Sequence, residues 1–262
     1  MTTLEAATGA AAPGDVTMLG RMTRTELRLA AREPLVLSFV FAFPVVLVLV
    51  LGGIFDDNDD AFEGAIPSDF YAAAYVAVAI GAIGLIMLPT QIASYRERGV
   101  LRRFRAAGIP GWVFPTAMAI VSLVMSALAA VLVIFTAAVS YGLPGVEAPA
   151  RTIGLGVLAA VSFVSFGTLL GWLMPSSRSA QGVGLTLFIP MFLLGGGGPP
   201  PEAQTSAMNT LSDFLPLTHV LRAIQEPWLD IGDGIDHAIV LVGILVASTV
   251  GWVLLSRRAD DS

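Results

Sequence analysis

Few side chains in this sequence could carry out catalysis or bind a metal. The two histidines, His219 and His237, lack a metal-ligand spacing, so we expect each to lie at a membrane interface and predict no metal site. The chain has no cysteine, which excludes thiol catalysis and cysteine-type zinc sites. No Ser-His-Asp arrangement and no pair of carboxylates falls within an apolar run. We therefore predict no catalytic residue.

All fourteen basic residues are arginines, so the chain has no lysine. A P-loop needs the lysine of its G-x-x-x-x-G-K-[ST] motif to reach the phosphates of a nucleotide. The chain therefore cannot hydrolyse ATP by that route, and we predict no cofactor in the chain itself.

The arginines are distributed unevenly between the segments that join the apolar runs. Twelve of them fall in segments that share one side of a membrane if the chain crosses it six times: Arg21, Arg24, Arg28, Arg32, Arg96, Arg98, Arg102, Arg103, Arg105, Arg178, Arg257 and Arg258. Only Arg151 and Arg222 face the other way, where an acidic run begins at Asp56. By the positive-inside rule, both ends of the chain lie in the cytoplasm.

The composition is typical of an integral membrane protein. The chain is 55% hydrophobic and 13% charged, whereas soluble domains are about 25% charged. Apolar runs predict six membrane spans in an all-α bundle, with bounds of about 35–55, 70–94, 113–141, 153–174, 182–198 and 238–255. The net charge of -6 argues against a nucleic-acid partner.

The six runs carry no Asp, Glu, Arg or His at mid-membrane. Ion-coupled transporters and ion channels usually depend on such groups, because a charge inside the bilayer is costly unless it serves a pathway. These two classes are therefore disfavoured.

The N-terminal region divides into two parts before the first run. Residues 1–15 have the composition of a disordered cytoplasmic tail. In 16–34 the arginines fall on one helical stripe, which predicts an amphipathic helix in the cytoplasmic interface. An ordinary cytosolic helix is the alternative.

The fifth run is short and ends in four glycines and three prolines at 195–201. This sequence cannot continue a helix, and irregular backbone at membrane depth survives only when it is buried in protein or lines a cavity. We expect 199–230 to re-enter the bilayer as short helices, with 211–217 and 220–228 as candidates. The alternative is an outer loop without re-entry.

A cytoplasmic segment at 95–110 combines arginines with an apolar face made of Val100, Leu101, Phe104 and Ala107. Gly108 and Pro110 follow in the order expected at a helix end. A short helix of this kind suits docking into a groove on another protein. Alternatively, the arginines only set the topology and contact lipid headgroups.

Two motifs resemble ABC-2 type transporter permeases, in the branch that includes daunorubicin-resistance-type exporters. The first is RERGVLRR at 96–103 followed by GIP at 108–110, similar to the family's E-R-G-T-L signature, with Val100 in place of the common Thr. The second comprises FIPMFLLGGGGP at 188–199 and FLPLTHVLRA at 214–223, similar to the family's fifth-span ending and re-entrant segment.

The resemblance implies a coupling helix at 97–107 that inserts into a separate ATP-binding subunit, beside a connecting helix at 16–33. ATP and Mg²⁺ would then be bound by the partner ATPase. The residues assigned to coupling are Glu97, Arg98, Gly99, Val100, Leu101, Arg102 and Phe104. Those assigned to the re-entrant segment are Gly195, Gly198, Pro199, Pro216 and Arg222.

The expected function is that of a bacterial cell-membrane permease subunit, paired with a second permease that is either a copy of this chain or a different one. It would export a hydrophobic or amphipathic substrate such as a drug, lipid or natural product. A membrane scaffold or sensor that docks a cytosolic protein and moves nothing is the alternative. Gly167 and Gly171 could let helices approach closely, within one bundle or between two.

Overall fold

The computed structural model describes residues 14–34, 37–55, 62 and 65–260, the last five by their backbone alone. These residues form ten α-helical elements, a short 3-10 helix at Pro201–Ala203 and no strand. The helices are α1 (Asp15–Ala30), α2 (Leu37–Leu51), α3 (Pro67–Glu97), α4 (Val100–Ala106), α5 (Val113–Tyr141), α6 (Pro149–Leu173), α7 (Ser177–Leu194), α8 (Ser206–Ser212), α9 (Pro216–Leu229) and α10 (Ile235–Asp260). Residues 1–13 of the predicted tail, the acidic run 56–60 and the side chains of Arg257 and Arg258 lie outside this description.

Four helices in the described part of the chain are long and apolar enough to cross a membrane. They are Pro67–Glu97, Val113–Tyr141, Pro149–Leu173 and Ile235–Leu255, while Leu37–Leu51 is a shorter apolar helix. The all-helical membrane fold is thus confirmed. The count of six spans, the cytoplasmic position of both ends and the re-entry of the 199–230 segment stay predictions.

Helix α3 is the core of the bundle. The most apolar 18-residue stretch of α3 is entirely buried, whereas only 11% of the corresponding stretch of α10 is buried. Six of the sixteen residues in Pro67–Ala82 are alanine, and these small side chains let α2, α5, α6, α7 and α9 pack closely around α3. A helix that is apolar on every side is expected at such a central position.

Two π-helical segments precede prolines inside the apolar helices. Leu37–Ala42 lies before Pro44 in α2, and Ile83–Met87 lies before Pro89 in α3. Proline donates no hydrogen bond and its ring collides with the carbonyl four residues earlier. A wide turn before each proline lets the helix continue past it.

Glycines set how closely two helices approach α3. A Cβ atom on Gly167 of α6 would lie 2.3 Å from the carbonyl oxygen of Gly84, and one on Gly171 would lie 2.8 Å from Ile92. A Cβ on Gly184 of α7 would lie 2.1 Å from the carbonyl oxygen of Leu85. Gly167 and Gly171 therefore serve packing within one chain.

Several helix ends differ from the predicted bounds for local reasons. Helix α1 stops at Ala30 and not at residue 34, because the chain turns before Pro34. Helix α7 stops at Leu194, where the glycines begin. The predicted helix at 211–217 is wrong, since α8 ends at Ser212 and Pro216 begins α9 in the N-terminal position that proline favours.

The contact between α7 and α3 can be tested with two glycines of the same helix. Gly184→Ala should lower the free energy of unfolding by about 1–3 kcal/mol, because the new methyl group overlaps the backbone of α3. Gly182→Ala is the control, since nothing lies within 4 Å of its Cβ position; it should be neutral or stabilising by up to about 1 kcal/mol. Thermal unfolding in detergent measures both, and equal midpoints for the two variants would contradict this packing.

Candidate functional site

Gly99 divides the predicted coupling segment into two helices. Helix α3 ends at Glu97, Gly99 has φ 67°, and α4 begins at Val100. Nothing lies within 4 Å of a Cβ built on Gly99, so its left-handed backbone and not lack of space requires glycine there. The prediction of one helix over 97–107 is corrected accordingly, because Glu97 belongs to α3.

The apolar face of α4 packs partly on its own chain. Leu101 and Phe104 are half-buried beside the cluster around Phe114. The ring of Phe104 lies 6.3 Å from those of both Tyr95 and Phe114, within the range of favourable aromatic contacts. The rest of α4 exposes Arg102, Arg103, Arg105 and Ala106, with Arg98 exposed before the helix and Ala107 after it.

The last turn of α3 connects three other helices through the successive residues Tyr95, Arg96 and Glu97. Successive residues of a helix point about 100° apart, so three neighbours can reach three directions. Tyr95 contacts α1, Arg96 contacts the end of α6, and Glu97 contacts the start of α7. We refer to these residues as the 95–97 triplet.

Tyr95 binds a buried carboxyl group on α1. Its hydroxyl donates to Glu26 Oε1 over 2.6 Å, and Glu26 is only 4% exposed. Burial raises the pKa of Glu26, an effect that the hydrogen bond from Tyr95 partly opposes. The three arginines of α1, Arg21, Arg24 and Arg28, are exposed on its other faces.

Arg96 satisfies the end of α6. Its guanidinium donates to the carbonyl oxygens of Gly171 at 3.3 Å and Met174 at 3.2 Å, and also to that of Trp172. It lies 5.0 Å from the ring centroid of Trp172, within cation–π range. The last carbonyls of a helix lack partners within it and carry partial negative charge, so an arginine is favourable there.

Glu97 binds the first turn of α7. Its Oε2 accepts from the backbone N–H of Ser177 at 2.9 Å and from the Ser177 hydroxyl at 3.0 Å. Ser176 and Ser179 add a capping box at the same turn. A carboxylate is favourable at the positive end of a helix. Arg96 and Glu97 thus hold both ends of the 174–176 turn.

At the other end of the bundle, two tyrosines of α3 bind residues 195–198, the glycine segment that follows α7. The hydroxyl of Tyr75 donates to the carbonyl oxygen of Gly197 over 2.9 Å, and that of Tyr71 donates to Gly198 over 3.2 Å. Buried backbone carbonyls need such partners. Sequence reasoning missed both tyrosines, because nothing in their local pattern marks these distant acceptors.

The predicted re-entrant residues occupy distinct places in this region. A Cβ on Gly195 would lie 2.6 Å from the carbonyl oxygen of Met191, whereas Gly198 has only ordinary contacts. Pro199 accepts a hydrogen bond from Gln204 at 3.1 Å. Pro216 begins α9, and Arg222 forms an ion pair with Asp213 at 3.2 Å.

The two histidines, which the sequence placed separately at the interface, are in contact. Nδ1 of His219 lies 3.0 Å from Nδ1 of His237. In the described part of the chain, no group of three or more His, Cys, Asp or Glu residues could hold a metal ion.

The ABC-2 type transporter family model matches residues 18–227, and the chain therefore belongs to this family. It is the membrane-spanning permease part of an ABC transporter, a part that lacks its own ATPase site and implies an ABC ATPase partner. No curated protein matches the chain significantly.

The burial of Glu26 predicts a stability change with pH. A carboxyl whose pKa is raised in the folded state stabilises the fold when protonated, below its unfolded pKa, and that contribution is lost as the pH rises through the folded pKa. Glu26→Gln keeps the acceptor for Tyr95 without the charge, so we expect a higher thermal midpoint than wild type at neutral pH. The difference should shrink as the pH falls toward 4.5, the ordinary glutamate value.

Glu33→Gln provides the control for this experiment, because Glu33 is exposed beyond the end of α1. Its midpoint should follow wild type at every pH. A Glu26→Gln midpoint that is lower than wild type at neutral pH would show that the buried carboxylate stabilises α1 as an anion.

Proposed function

We propose that this chain is the permease subunit of an ATP-driven exporter of the daunorubicin-resistance type in a bacterial cell membrane. It moves a hydrophobic or amphipathic substrate out of the cytoplasm, and a separate subunit binds Mg²⁺ and hydrolyses ATP. The observation that carries this proposal is the 95–97 triplet, which connects the short helix α4 to three helices of the bundle.

The docking surface for the ATPase is proposed to be the exposed side of α4. This side is cationic, with Arg98, Arg102 and Arg103 exposed, and two small residues at its end leave the backbone accessible. Gly99 and Gly108 both have positive φ and set α4 off from α3 and α5. An acidic groove on the ATPase would complement this surface.

The proposed transmission runs from α4 through the triplet. A shift of α4 pulls on α1 through Tyr95 and on the ends of α6 and α7 through Arg96 and Glu97. Helix α7 leads to the glycine segment, whose carbonyls bind Tyr71 and Tyr75 of α3. Movement at the α4 end of the bundle thereby reaches the opposite end of α3 and α7.

The substrate class is proposed from the apolar surfaces that the helices present. Exposed side chains along the candidate spans are mostly aliphatic or aromatic, for example Val131 and Phe135 of α5 and Val246 of α10. A path between two such permeases suits lipid-like or drug-like cargo and not a hydrated ion. The second permease subunit is either a copy of this chain or a related one.

Capture of the ATPase tests the proposed docking surface. The permease is co-expressed with a P-loop ATPase encoded beside it and purified in detergent. Arg102→Glu with Arg103→Glu should reduce the retained ATPase at least ten-fold, because it reverses the charge of the docking surface. The matched control, Arg102→Lys with Arg103→Lys, keeps the charge and should retain it.

The two charge variants leave the fold alone because both arginines are exposed, and thermal unfolding checks this. Replacing Leu101 or Phe104 would instead remove the contacts of α4 with the cluster around Phe114. If wild type retains no ATPase, the proposed function fails; if the glutamate variant retains as much as wild type, only the docking surface is wrong.

Transport by the reconstituted complex tests cargo and direction. Inside-out vesicles containing the complex should accumulate a fluorescent anthracycline when ATP is added, and a complex whose ATPase subunit has lost its catalytic base should not. Movement of an inorganic ion alone would contradict the proposed cargo.

A further inference from the structure

His219, on α9, and His237, in the first turn of α10, belong to a continuous chain of hydrogen bonds. His219 Nε2 lies 3.0 Å from the carbonyl oxygen of Asp213, and the two Nδ1 atoms lie 3.0 Å apart. His237 Nε2 lies 2.9 Å from Glu226 Oε1, and the other oxygen of Glu226 accepts from the N–H of Gly234 at 2.9 Å. This chain joins the end of α8 to α9 and α10, at the opposite end of the bundle from α4.

The bonding partners fix how many hydrogens the two rings carry. A carbonyl oxygen can only accept, so Nε2 of His219 is a donor. An ionised carboxylate can only accept, so Nε2 of His237 is a donor too. A third hydrogen must lie between the two Nδ1 atoms, because two lone pairs 3.0 Å apart would repel each other. Two rings with three N–H groups are one neutral imidazole and one imidazolium.

The charged surroundings assign the imidazolium to His237. Its partner Glu226 supplies the balancing negative charge, and the side chain of His237 is 14% exposed. Burial lowers the pKa of His219, and the nearby His237 and Arg222 lower it further. The hydrogen bond to the backbone of Asp213 and the charge of Asp213 raise the pKa, but by less. His219 is therefore the neutral ring, and its Nδ1 accepts from His237.

The other charged groups on the surrounding elements do not contact either ring. Asp233 accepts from the N–H of Ile235 at the start of α10, and Asp69 of α3 accepts from Gly145. Other charged side chains nearby are exposed: Glu147 and Arg151 before and at the start of α6, Glu202 beside the cavity that Arg222 and Glu226 line, and Asp230 and Asp236 near the start of α10.

We propose that His219, His237 and Glu226 form a binding site for a single proton, which holds α9 to α10. Loss of this proton leaves two lone pairs face to face, and a second proton places two N–H groups face to face. The contact between the helices is therefore strongest when the site holds one proton and weakens on either side of that state. This site depends on neither the ATPase nor the cargo of the proposed transporter.

Nitrogen-15 NMR of the permease alone tests the site directly, because the chain has only two histidines. The protein is labelled with ¹⁵N-histidine, purified through a tag without histidine and placed in lipid nanodiscs at about pH 6.5, the ordinary pKa of histidine. We expect one imidazolium, one neutral ring protonated on Nε2, and a through-bond coupling between the two Nδ1 nuclei. Two rings in the same protonation state, or no coupling, would overturn the proposal.

Two matched variants separate the role of Glu226 from a general loss of negative charge. Glu226→Gln keeps an acceptor for His237 but removes the balancing charge, so the imidazolium signal and the coupling should disappear at the same pH. Asp236→Asn removes an exposed charge beside His237 and should leave the spectrum unchanged. Thermal unfolding confirms that both fold. Retention of the imidazolium in Glu226→Gln would overturn the proposal as well.

Discussion

The structure depends on how one helix end is anchored. The last turn of α3 carries three successive side chains that bind three different helices, and two of them bind opposite helix ends across the 174–176 turn. The arginine binds the last carbonyl oxygens of α6 and the glutamate binds the N–H and hydroxyl of Ser177 at the start of α7, so each charge has the sign that its helix end favours. Because both are neighbours on one helix, movement of α6 or α7 at this end without α3 breaks these hydrogen bonds.

The rest of α3 explains why such anchoring can matter at a distance. The helix is buried along its apolar length, and glycines bring α6 and α7 into backbone contact with it. Close-packed helices with little empty space transmit displacement instead of absorbing it. At its opposite end, Tyr71 and Tyr75 bind the carbonyls of the segment that follows α7. Helices α3 and α7 are thus joined at both ends.

Hydropathy and arginine placement were enough to predict an all-helical membrane protein and most helix positions, since those features depend on local composition. The break at Gly99 was not predicted, because the pattern around it suits one helix and only a positive φ distinguishes two. Partners distant in the chain were also missed. Glu97 and Ser177 are 80 residues apart, and His219 meets His237 only because α9 and α10 fold against each other. The glycine break at 195–198 was visible in the sequence, but its tyrosine donors were not.

The most direct test of this account is the number of substrate molecules moved per ATP hydrolysed in reconstituted vesicles. Arg96→Gln with Glu97→Gln keeps the exposed side of α4 while removing the charged bonds to α6 and α7. The account predicts that this variant still retains the ATPase and hydrolyses ATP, but that the ratio falls at least ten-fold. Arg32→Gln, at an exposed position beyond the end of α1, should keep the wild-type ratio. An unchanged ratio in the double variant would contradict the claim that the 95–97 triplet transmits movement from α4 to the bundle.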